Sequence, residues 1–452
     1  MASDDRAKLM DSLKANRRSA RGRSASAATR PQTTSPKRKV FDFKELPQVK
    51  QLQMHRAAAD MMGIENPFFR PHDGLAVETS VIGGQTYDNF ASYNYLGLNG
   101  HPRVNAAAKA AVDQYGTSVS ASRIVAGERP FHNELESALA SIHGVESAIV
   151  MVSGHATNVT TIGHLMHKGD LVLTDSFVHN SIAEGVRLSG ATRMNFPHDD
   201  LDALEKMLAD HRHKFDKVLI AVEGLYSMDG DFPDLRKLVK LKQAYDVWLM
   251  VDEAHSIGVL GKTGHGISEH FGIDPTEVEI WMGTLSKTFS SCGGYIAGSK
   301  VLCDYLKVSA PGFVFSVGLS PALAGSAIAS AEMLKQEPER VERLQKNGSL
   351  FLKLAKEAGL NTGPSTGYAV VPVIVGDSAG AAMLSNRLLA KGINALPIIF
   401  PAVPEKSARI RFFITSEHTE EQIIRAVETT AAELDAMRAD GTAVDRLIKA
   451  SR

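Results

Sequence analysis

Cysteine is scarce in this sequence, because 452 residues contain only Cys292 and Cys303. Two thiols cannot build the disulfide framework of a small secreted scaffold, and their spacing matches no metal-ligand pattern. We therefore predict a protein of a reducing cytoplasm that holds no metal.

The sequence also lacks an excess of either charge and lacks long apolar runs. Its 50 Lys and Arg residues are balanced by 51 Asp and Glu residues, so no net electrostatic field favours binding to nucleic acid or to an anionic membrane. No run approaches the roughly 18 apolar residues of a membrane-spanning helix, and the beginning has no apolar core typical of a secretory signal. The size and the ordinary composition predict a globular protein of two or three domains.

Residues 1–40 differ from the rest, because they are rich in Lys, Arg, Ser, Ala and Thr and poor in apolar side chains. Too little apolar surface is available to offset the entropy lost on ordering, which predicts a disordered basic tail. A solvated leader is the simpler interpretation, and docking on an acidic partner or a membrane surface is the alternative. Residues 41–95 are predicted to form an N-terminal segment with a helix, a turn at Pro67 and Pro71, and a short hairpin.

From residue 96 onward, short apolar segments alternate with helical ones. Candidate strands are 148–152, 171–174, 217–223, 247–252 and 279–283. Buried strands separated by helices predict an α/β fold whose mainly parallel sheet is covered on both faces, with ligands at the carboxyl ends of the strands. We assign this large domain to residues 96–325. A helical stretch to about residue 358, two strand-like segments and a final amphipathic helix predict a small α+β domain at 326–452.

Lys287 is the one lysine in a segment of hydroxyl and glycine residues that follows an apolar, strand-like run. A lysine that such a loop presents into a cleft has a lowered pKa and can act as an amine nucleophile or base. We interpret Lys287 as a Schiff-base lysine. The segment alone leaves open the alternative of a solvated lysine in a surface turn.

Other predicted strands also end in polar groups. Asp252 follows an apolar strand, where a poorly solvated carboxylate requires a cation such as a protonated pyridine nitrogen. Gly154 lies in a turn of small residues whose amide groups favour a phosphate, and His179 lies at the same predicted rim. Pyridoxal phosphate requires an amine, an acid, a ring-stacking group and a phosphate cup, and we predict this cofactor.

Two other kinds of site share parts of this pattern. Residues 252–255 are similar to the acidic box of some helicases and residues 261–263 to the end of a phosphate loop, but the earlier glycine of that loop is missing. Zinc on His255 with His265 or His270 lacks a complete ligand set. We expect neither nucleotide hydrolysis nor zinc binding.

Taken together, residues 45–437 resemble the α-oxoamine synthase family of fold-type I pyridoxal phosphate enzymes. The matching segments are 92–97, 115–136, 153–158, 222–230, 252–255, 283–287 and 409–419. The resemblance implies a mainly parallel seven-stranded sheet in the large domain and a homodimer with shared active sites. It also implies an acyltransferase that joins an amino acid to an acyl thioester of coenzyme A or of an acyl carrier protein.

The resemblance assigns a role to each matching residue. It implies that Lys287 bonds the cofactor and moves the Cα proton, that Asp252 pairs with the pyridinium nitrogen, and that His179 stacks on the ring. Further implied contacts are Ser227 and His255 to the phenolic oxygen, and Gly154, His155, Thr284 and Ser286 to the phosphate. Asn94 and Arg411 align with groups that hold the amino-acid carboxylate, a role that suits the fork of an arginine.

One segment departs from the family pattern. Where this chain has Val317 and Gly318, many members carry a Thr or Ser that the neighbouring subunit uses on the phosphate. Ser316 and Ser320 are the candidates to replace that hydroxyl.

Within the family, segments 188–192, 252–260, 293–296 and 400–404 are most similar to the serine palmitoyltransferase group. This similarity predicts condensation of L-serine with a long-chain acyl thioester to a 3-ketosphinganine-like α-amino ketone of sphingolipid biosynthesis. The alternatives are synthases similar to 8-amino-7-oxononanoate synthase that use alanine or glycine, and synthases that depend on an acyl carrier protein. A non-catalytic partner subunit is a further alternative, against which the joint presence of Lys287, Asp252 and His179 argues.

Overall fold

The structure is a computed structural model that describes residues 42–439. The predicted basic tail at 1–40 lies outside these residues. The described chain falls into two units, 42–57 and 58–439. The first unit contains a 3-10 turn at Phe43–Glu45, capped by the side chain of Asp42, and most of the predicted helix.

Helices and strands alternate along the described chain, as the sequence predicts. The α-helices are α1 Pro47–Met61, α2 Pro102–Tyr115, α3 Pro130–His143, α4 Gly154–Leu165, α5 Asn180–Ser189, α6 Leu201–His211, α7 Leu235–Tyr245, α8 Ile267–Phe271, α9 Lys300–Ser309, α10 Pro311–Val314, α11 Pro321–Gln336, α12 Glu339–Glu357, α13 Ser378–Ala390 and α14 Glu420–Ala439. The strands are β1 Thr79–Ile82, β2 Gln85–Asn89, β3 Ser147–Met151, β4 Leu171–Asp175, β5 Thr192–Phe196, β6 Val218–Glu223, β7 Trp248–Asp252, β8 Ile280–Thr284, β9 Gly294–Gly298, β10 Val370–Gly376, β11 Ile393–Asn394, β12 Leu396–Ile398 and β13 Ala408–Phe413. Among these helices, none combines the length and the apolar character required to cross a bilayer.

A seven-stranded sheet in the order β3-β9-β8-β7-β6-β4-β5 forms the centre of the second unit. Strand β9 runs antiparallel to both neighbours, and the remaining pairs are parallel. The mainly parallel seven-stranded sheet is therefore confirmed. The sheet places the ends of β4, β6, β7 and β8 at one edge, where parallel sheets bind ligands.

The sheet has a hydrophobic core on each face, because successive side chains of a strand point to opposite sides. In β3, Ala148 and Val150 face one core, whereas Ile149 and Met151 face the other. Helices α3, α6 and α7 contribute to the first core and α4, α5 and α9 to the second, with representative residues Leu135, Leu204, Leu238, Ile162, Ile182 and Leu306. This two-sided burial explains the uninterrupted apolar sequence of the central strands.

A second, smaller sheet follows α12, in the antiparallel order β10-β13-β12. A third sheet joins the predicted hairpin β1-β2 to β11. The helical stretch predicted after Pro321 is two helices, α11 and α12, because Pro338 has no N–H to continue the first. The limits assigned to the domains remain predictions.

The loop at residues 226–231, which follows β6, docks on the smaller sheet. Gly230 has φ +70°, and a side chain there would lie 2.0 Å from the carbonyl oxygen of Val370, so glycine is required. Arg409 of β13 donates hydrogen bonds to the carboxylate of Asp229 and to the carbonyl of Met228. The loop is thereby attached to the strand that also carries Arg411.

Breaking the ion pair between Asp229 and Arg409 should destabilise the protein. Both side chains are about 4% exposed, so Arg409→Met leaves a buried carboxylate without its cation. We expect a loss of about 3–5 kcal/mol in unfolding free energy, measured by urea denaturation. The control is Lys237→Met, which breaks the exposed pair with Asp202 and should leave the urea midpoint unchanged. Equal midpoints for the two variants would contradict the prediction.

Candidate active site

A cavity of about 350 Å3 opens at the carboxyl ends of β6, β7 and β8. The predicted site residues in its wall are Gly154, His155, His179, Ser227, Asp252, His255, Thr284, Ser286, Lys287 and Arg411. Asn94 lines an adjacent cavity of about 470 Å3 instead, which shares Tyr93, Ser286 and Lys287 with the first. The structure thus brings together residues from nearly the whole length of the second unit.

Asp252 is the buried anion of the site. It ends β7 with 3% of its surface exposed. Asn158 of α4 donates to its Oδ2 at 2.8 Å, and the backbone N–H of Ala254 donates to its Oδ1 at 3.0 Å. Both donors are neutral, so the carboxylate is held in place and its charge remains available to a cationic ligand.

Lys287 follows β8 and lines the same cavity as this carboxylate. Burial lowers the pKa of its amine to about 8, against the opposing effect of Asp252 and Glu223. Its Nζ atom lies 5.6 Å from the centre of the Tyr93 ring. A substantial fraction of the amine is therefore unprotonated near neutral pH, as a nucleophile or a base requires.

Glu223 is a site residue that sequence reasoning did not single out. It ends β6 directly beside Asp252 of β7. Its Oε2 accepts from the N–H of Ser227 at 3.2 Å, while its buried Oε1 has no partner among the described residues. Burial, together with the charge of Asp252, raises its pKa to about 8, so this carboxyl is largely neutral at pH 7. The rule that found Asp252, an acid at the end of an apolar strand, applies equally to Glu223.

A chain of hydrogen bonds connects His179 to Asp252. Nδ1 of His179 faces the hydroxyl of Ser181 at 2.7 Å, and Asn158 donates to that same hydroxyl oxygen at 2.9 Å. Asn158 also donates to Asp252. The backbone N–H of Ser181 also donates to this Nδ1 at 3.3 Å, and burial lowers the pKa of His179, so Nδ1 is an acceptor and Nε2 of the neutral ring carries the proton. The His179 ring is fixed at the start of α5 and exposed to the cavity, as a stacking role requires.

His255 and Ser227 occupy the wall nearest the smaller sheet. His255 shares a hydrogen bond of 2.7 Å with the hydroxyl of Tyr95. Burial lowers the pKa of this histidine well below its usual value, so the ring is neutral. Ser227 lines the cavity, and its carbonyl accepts from Arg411 at 2.9 Å.

The start of α4 forms the opposite end of the cavity. Ser153 caps the helix by accepting from the N–H of Ala156. A side chain at Gly154 would lie 2.8 Å from the hydroxyl of Thr284, so the glycine keeps the helix start open to a ligand. The hydroxyls of Thr284 and Ser286 lie 2.7 Å apart beside it. Helix N-terminal amide groups and hydroxyls are the donors that a phosphate accepts from.

The two predicted carboxylate ligands differ in their availability. Arg411 keeps a buried Nε without a partner among residues 42–439, and burial lowers the pKa of its guanidinium. Asn94 instead donates to the carbonyl of Ala76 and accepts from the N–H of Asn99, at 3.2 and 3.0 Å. Arg411 is therefore the stronger candidate for the substrate carboxylate.

The hydroxyls proposed to replace a partner's Thr or Ser are already engaged. Ser316 donates to the carbonyl of Gly312 at 2.6 Å, and Ser320 donates to that of Thr117 at 2.9 Å. Each hydroxyl has a single hydrogen, so neither offers a donor to a phosphate in this arrangement. Gly318 is constrained as well, because a side chain would lie within 3.1 Å of Val119, Arg123 and His132.

The cavity fits pyridoxal phosphate. Its wall contains three buried polar atoms that have no partner in the described chain, Oδ1 of Asn158, Oε1 of Glu223 and Nε of Arg411. Asp252 can hold the pyridinium nitrogen, Lys287 the aldehyde carbon, and the start of α4 the phosphate. When bound, this cofactor supplies an electron sink for charge that develops at the α-carbon of an amino acid.

Comparison with known proteins agrees with this assignment. Residues 86–429 match the family model of aminotransferase class I and II. The chain is 40% identical over 347 residues to 8-amino-7-oxononanoate synthase 1 of Bacillus velezensis, which covers 77% of this chain and 88% of that protein. The synthase of Treponema denticola is also 40% identical, over 79% of this chain and 90% of its own.

Solved structures show the same architecture. Serine palmitoyltransferase of Sphingomonas wittichii superposes with a TM-score of 0.83 at 28% identity, over 89% of this chain and 99% of that one. A serine palmitoyltransferase from S. paucimobilis with a bound PLP–myriocin aldimine gives the same TM-score. 8-Amino-7-oxononanoate synthase of Francisella tularensis gives 0.68 at 26% identity, over 77% and 98% of the two chains.

The sequence match, the shared fold and a cavity that fits the cofactor agree on one family. The chain belongs to the aminotransferase class I and II family and, within it, to the α-oxoamine synthases, which are acyltransferases of fold type I that use pyridoxal phosphate.

Proposed function

We propose that this enzyme condenses alanine with an acyl thioester to give an α-amino ketone, CO2 and a free thiol. One observation carries the reaction class: a buried lysine amine with a pKa of about 8 shares one cavity with Asp252 and with an Arg411 Nε that has no partner within residues 42–439. An amino acid presents an amine and a carboxylate, and this cavity offers a group for each.

The choice of alanine differs from the prediction of serine made from the sequence. The curated relatives at about 40% sequence identity are 8-amino-7-oxononanoate synthases, whereas the serine palmitoyltransferases are matched as structures, at 28–30% identity. The name of that product describes a methyl group, an amine-bearing carbon and a ketone at one end of a nine-carbon acid. The methyl carbon and the amine-bearing carbon are the two that alanine retains after loss of CO2. The other seven carbons, which include the ketone, correspond to an acyl group with a terminal carboxylate.

In this proposal the chain's own residues bind and orient the substrates. Arg411 holds the amino-acid carboxylate, and Lys287 accepts the proton from the α-carbon. Asp252 stabilises the positive charge on the cofactor ring, and Glu223, neutral at pH 7, adds no second anion beside it. His179 confines the cofactor ring from the exposed side.

An outer cavity of about 840 Å3 offers space for the acyl thioester. It shares His179, Ser227 and Met228 with the cofactor cavity and is lined largely by apolar residues, among them Phe177 and Phe400. An acyl chain placed there would direct its thioester carbon toward the α-carbon of the amino acid.

Serine with a long-chain acyl thioester is the second candidate. The high structural similarity to serine palmitoyltransferase, over 89% of this chain, favours it. The relatives with about 40% sequence identity are 8-amino-7-oxononanoate synthases, so we rank the sphingolipid function below condensation of alanine.

We further propose a homodimer with shared active sites. Apolar side chains at Ile124, Val125, Phe315 and Val317 are exposed, and a β-bridge between Ser122 and Val317 joins their two segments. A dimer interface would cover this patch. Cytoplasmic location, the absence of nucleic acid as a partner, and membrane contact through the basic tail remain predictions.

The amino-acid preference can be measured directly. We expect alanine to give a kcat/KM about tenfold to 100-fold higher than serine. The expected ratio is no larger because an apolar pocket that accepts a methyl group rejects an added hydroxyl only weakly. Purified enzyme is mixed with each amino acid and with a seven-carbon dicarboxylic or palmitoyl coenzyme A thioester, and the amino ketone is quantified by mass spectrometry. Faster turnover of serine with the palmitoyl thioester would select the second candidate instead.

The role of Lys287 predicts how the apoenzyme takes up the cofactor. The unprotonated amine fraction falls about tenfold per pH unit below the pKa, so the capture rate should rise up to about pH 8 and then level off. Stopped-flow absorbance of the lysine-bound cofactor measures this rate. Lys287→Ala should give no such band, whereas Lys262→Ala, at an exposed lysine, should retain it. A rate that rises only toward pH 10 would show a solvated lysine.

A further inference from the structure

The imidazole of His198 bridges two buried carboxylates beneath the active site. Its Nδ1 lies 3.0 Å from Oδ1 of Asp175, and its Nε2 lies 2.9 Å from Oδ2 of Asp231. His198 side-chain exposure is 16%. The residue lines neither the cofactor cavity nor the outer cavity.

This geometry requires a charged ring. An ionised carboxylate only accepts hydrogen bonds, so a histidine between two of them must donate from both nitrogens. Burial opposes the charge, but the hydrogen bonds and the charges of Asp175 and Asp231 outweigh it and raise the pKa of His198 to about 10. The ring is therefore an imidazolium at physiological pH, held by two charge-assisted bonds.

The first carboxylate, that of Asp175, is hydrogen-bonded to the loop that carries His179. Asp175 ends β4 and accepts from the N–H of Phe177 at 2.7 Å. The Phe177 ring stacks on His198, with centroids 4.3 Å apart. Two residues later the chain reaches His179, the predicted ring-stacking residue.

The second carboxylate belongs to the loop that carries Ser227. The carbonyl of Asp231 accepts from the N–H of Tyr226 at 2.8 Å, and Gly230 donates back to Tyr226 at 2.9 Å, which closes the loop at 226–231. The edge of the Tyr226 ring contacts His198 at a centroid distance of 4.6 Å. Ser227 is thus presented by a loop whose two ends both touch His198.

The position of His198 is itself fixed from the backbone. Asp199 adopts φ +54°, a conformation that aspartate tolerates, and its N–H donates to Oδ2 of Asp175 at 2.9 Å. Asp200 then caps α6 by accepting from Ala203. The imidazolium is therefore presented by a rigid turn.

We propose that His198 is a positioning residue for the cofactor. Its imidazolium sets the separation between the 175–179 loop and the 226–231 loop, and with it the spacing between the stacking ring of His179 and the hydroxyl of Ser227. A 1 Å change in that spacing weakens the fit on both sides of the cofactor ring. The inference rests on the roles proposed for His179 and Ser227.

The test compares His198→Gln with His213→Gln, which alters an exposed histidine. We expect His198→Gln to raise the dissociation constant of pyridoxal phosphate at least about tenfold. This factor is the smallest loss of affinity that is typical when a residue that orients the ligands of a metal site is replaced. The constant is measured by titrating apoenzyme with the cofactor, and the urea midpoint of the apoenzyme is measured alongside. A lowered midpoint with unchanged cofactor affinity would show a purely structural residue and overturn the proposal.

A double variant keeps the test decisive if His198→Gln fails to fold. In His198→Gln/Asp231→Asn the two amides can bond each other, and no carboxylate at Asp231 is left without its cation. We expect this variant to fold and to bind pyridoxal phosphate at least about tenfold more weakly than the wild type, because neutral amides replace the charge-assisted bonds of the imidazolium. A cofactor affinity equal to that of the wild type would overturn the proposal. Wild-type protein that binds the cofactor but does not condense alanine would refute the proposed function and leave this inference intact.

Discussion

The burial of the Asp252 carboxylate is the constraint on which the site depends. A carboxylate with 3% exposure requires compensation, and its two hydrogen bonds come from the neutral donors Asn158 and Ala254. The rest of the cost of burying this charge is offset electrostatically, and the charge in turn shifts the pKa values of the neighbouring groups. Glu223 on the adjacent strand is pushed toward its neutral form, and Lys287 keeps a pKa near 8 although burial alone favours a lower value. Burial and this fixed anion together therefore set the protonation of the acid and the amine around it.

The fold was predictable where burial is two-sided. Strands β3, β4, β6, β7 and β8 are nearly continuous apolar runs, and each was predicted to within about two residues. Strand β5 was not, because it carries exposed polar residues such as Thr192 and Arg193. Strand β9 begins and ends with glycine and follows a loop instead of a helix, so no alternation of strand and helix marks it.

The site was predictable from strand ends, but its supporting contacts were not. Asp252 ends one apolar strand and Lys287 follows another, whereas the bridge from Asp175 through His198 to Asp231 joins the end of β4 to two separate loops. The preference for serine came from short segments such as 188–192 and 293–296. In these segments Gly190 ends α5 with φ +74°, and Gly294 lies against the backbone of Gly154. Similarity there reports backbone requirements of the fold and carries little information about the substrate.

The antiparallel strand β9 also determines the order in which the site can be assembled. Strand β3, which leads into the proposed phosphate site at the start of α4, pairs in the sheet only with β9, and β9 joins it to β8 and the lysine loop. In a nascent chain that has been synthesised as far as Lys287 but not as far as residues 294–298, the segment at the start of α4 and the segment that carries Lys287 are both present. No strand pairing yet joins β3 to β8. Completion of the site is therefore a long-range step of folding, since its last pairing links residues separated by more than a hundred positions.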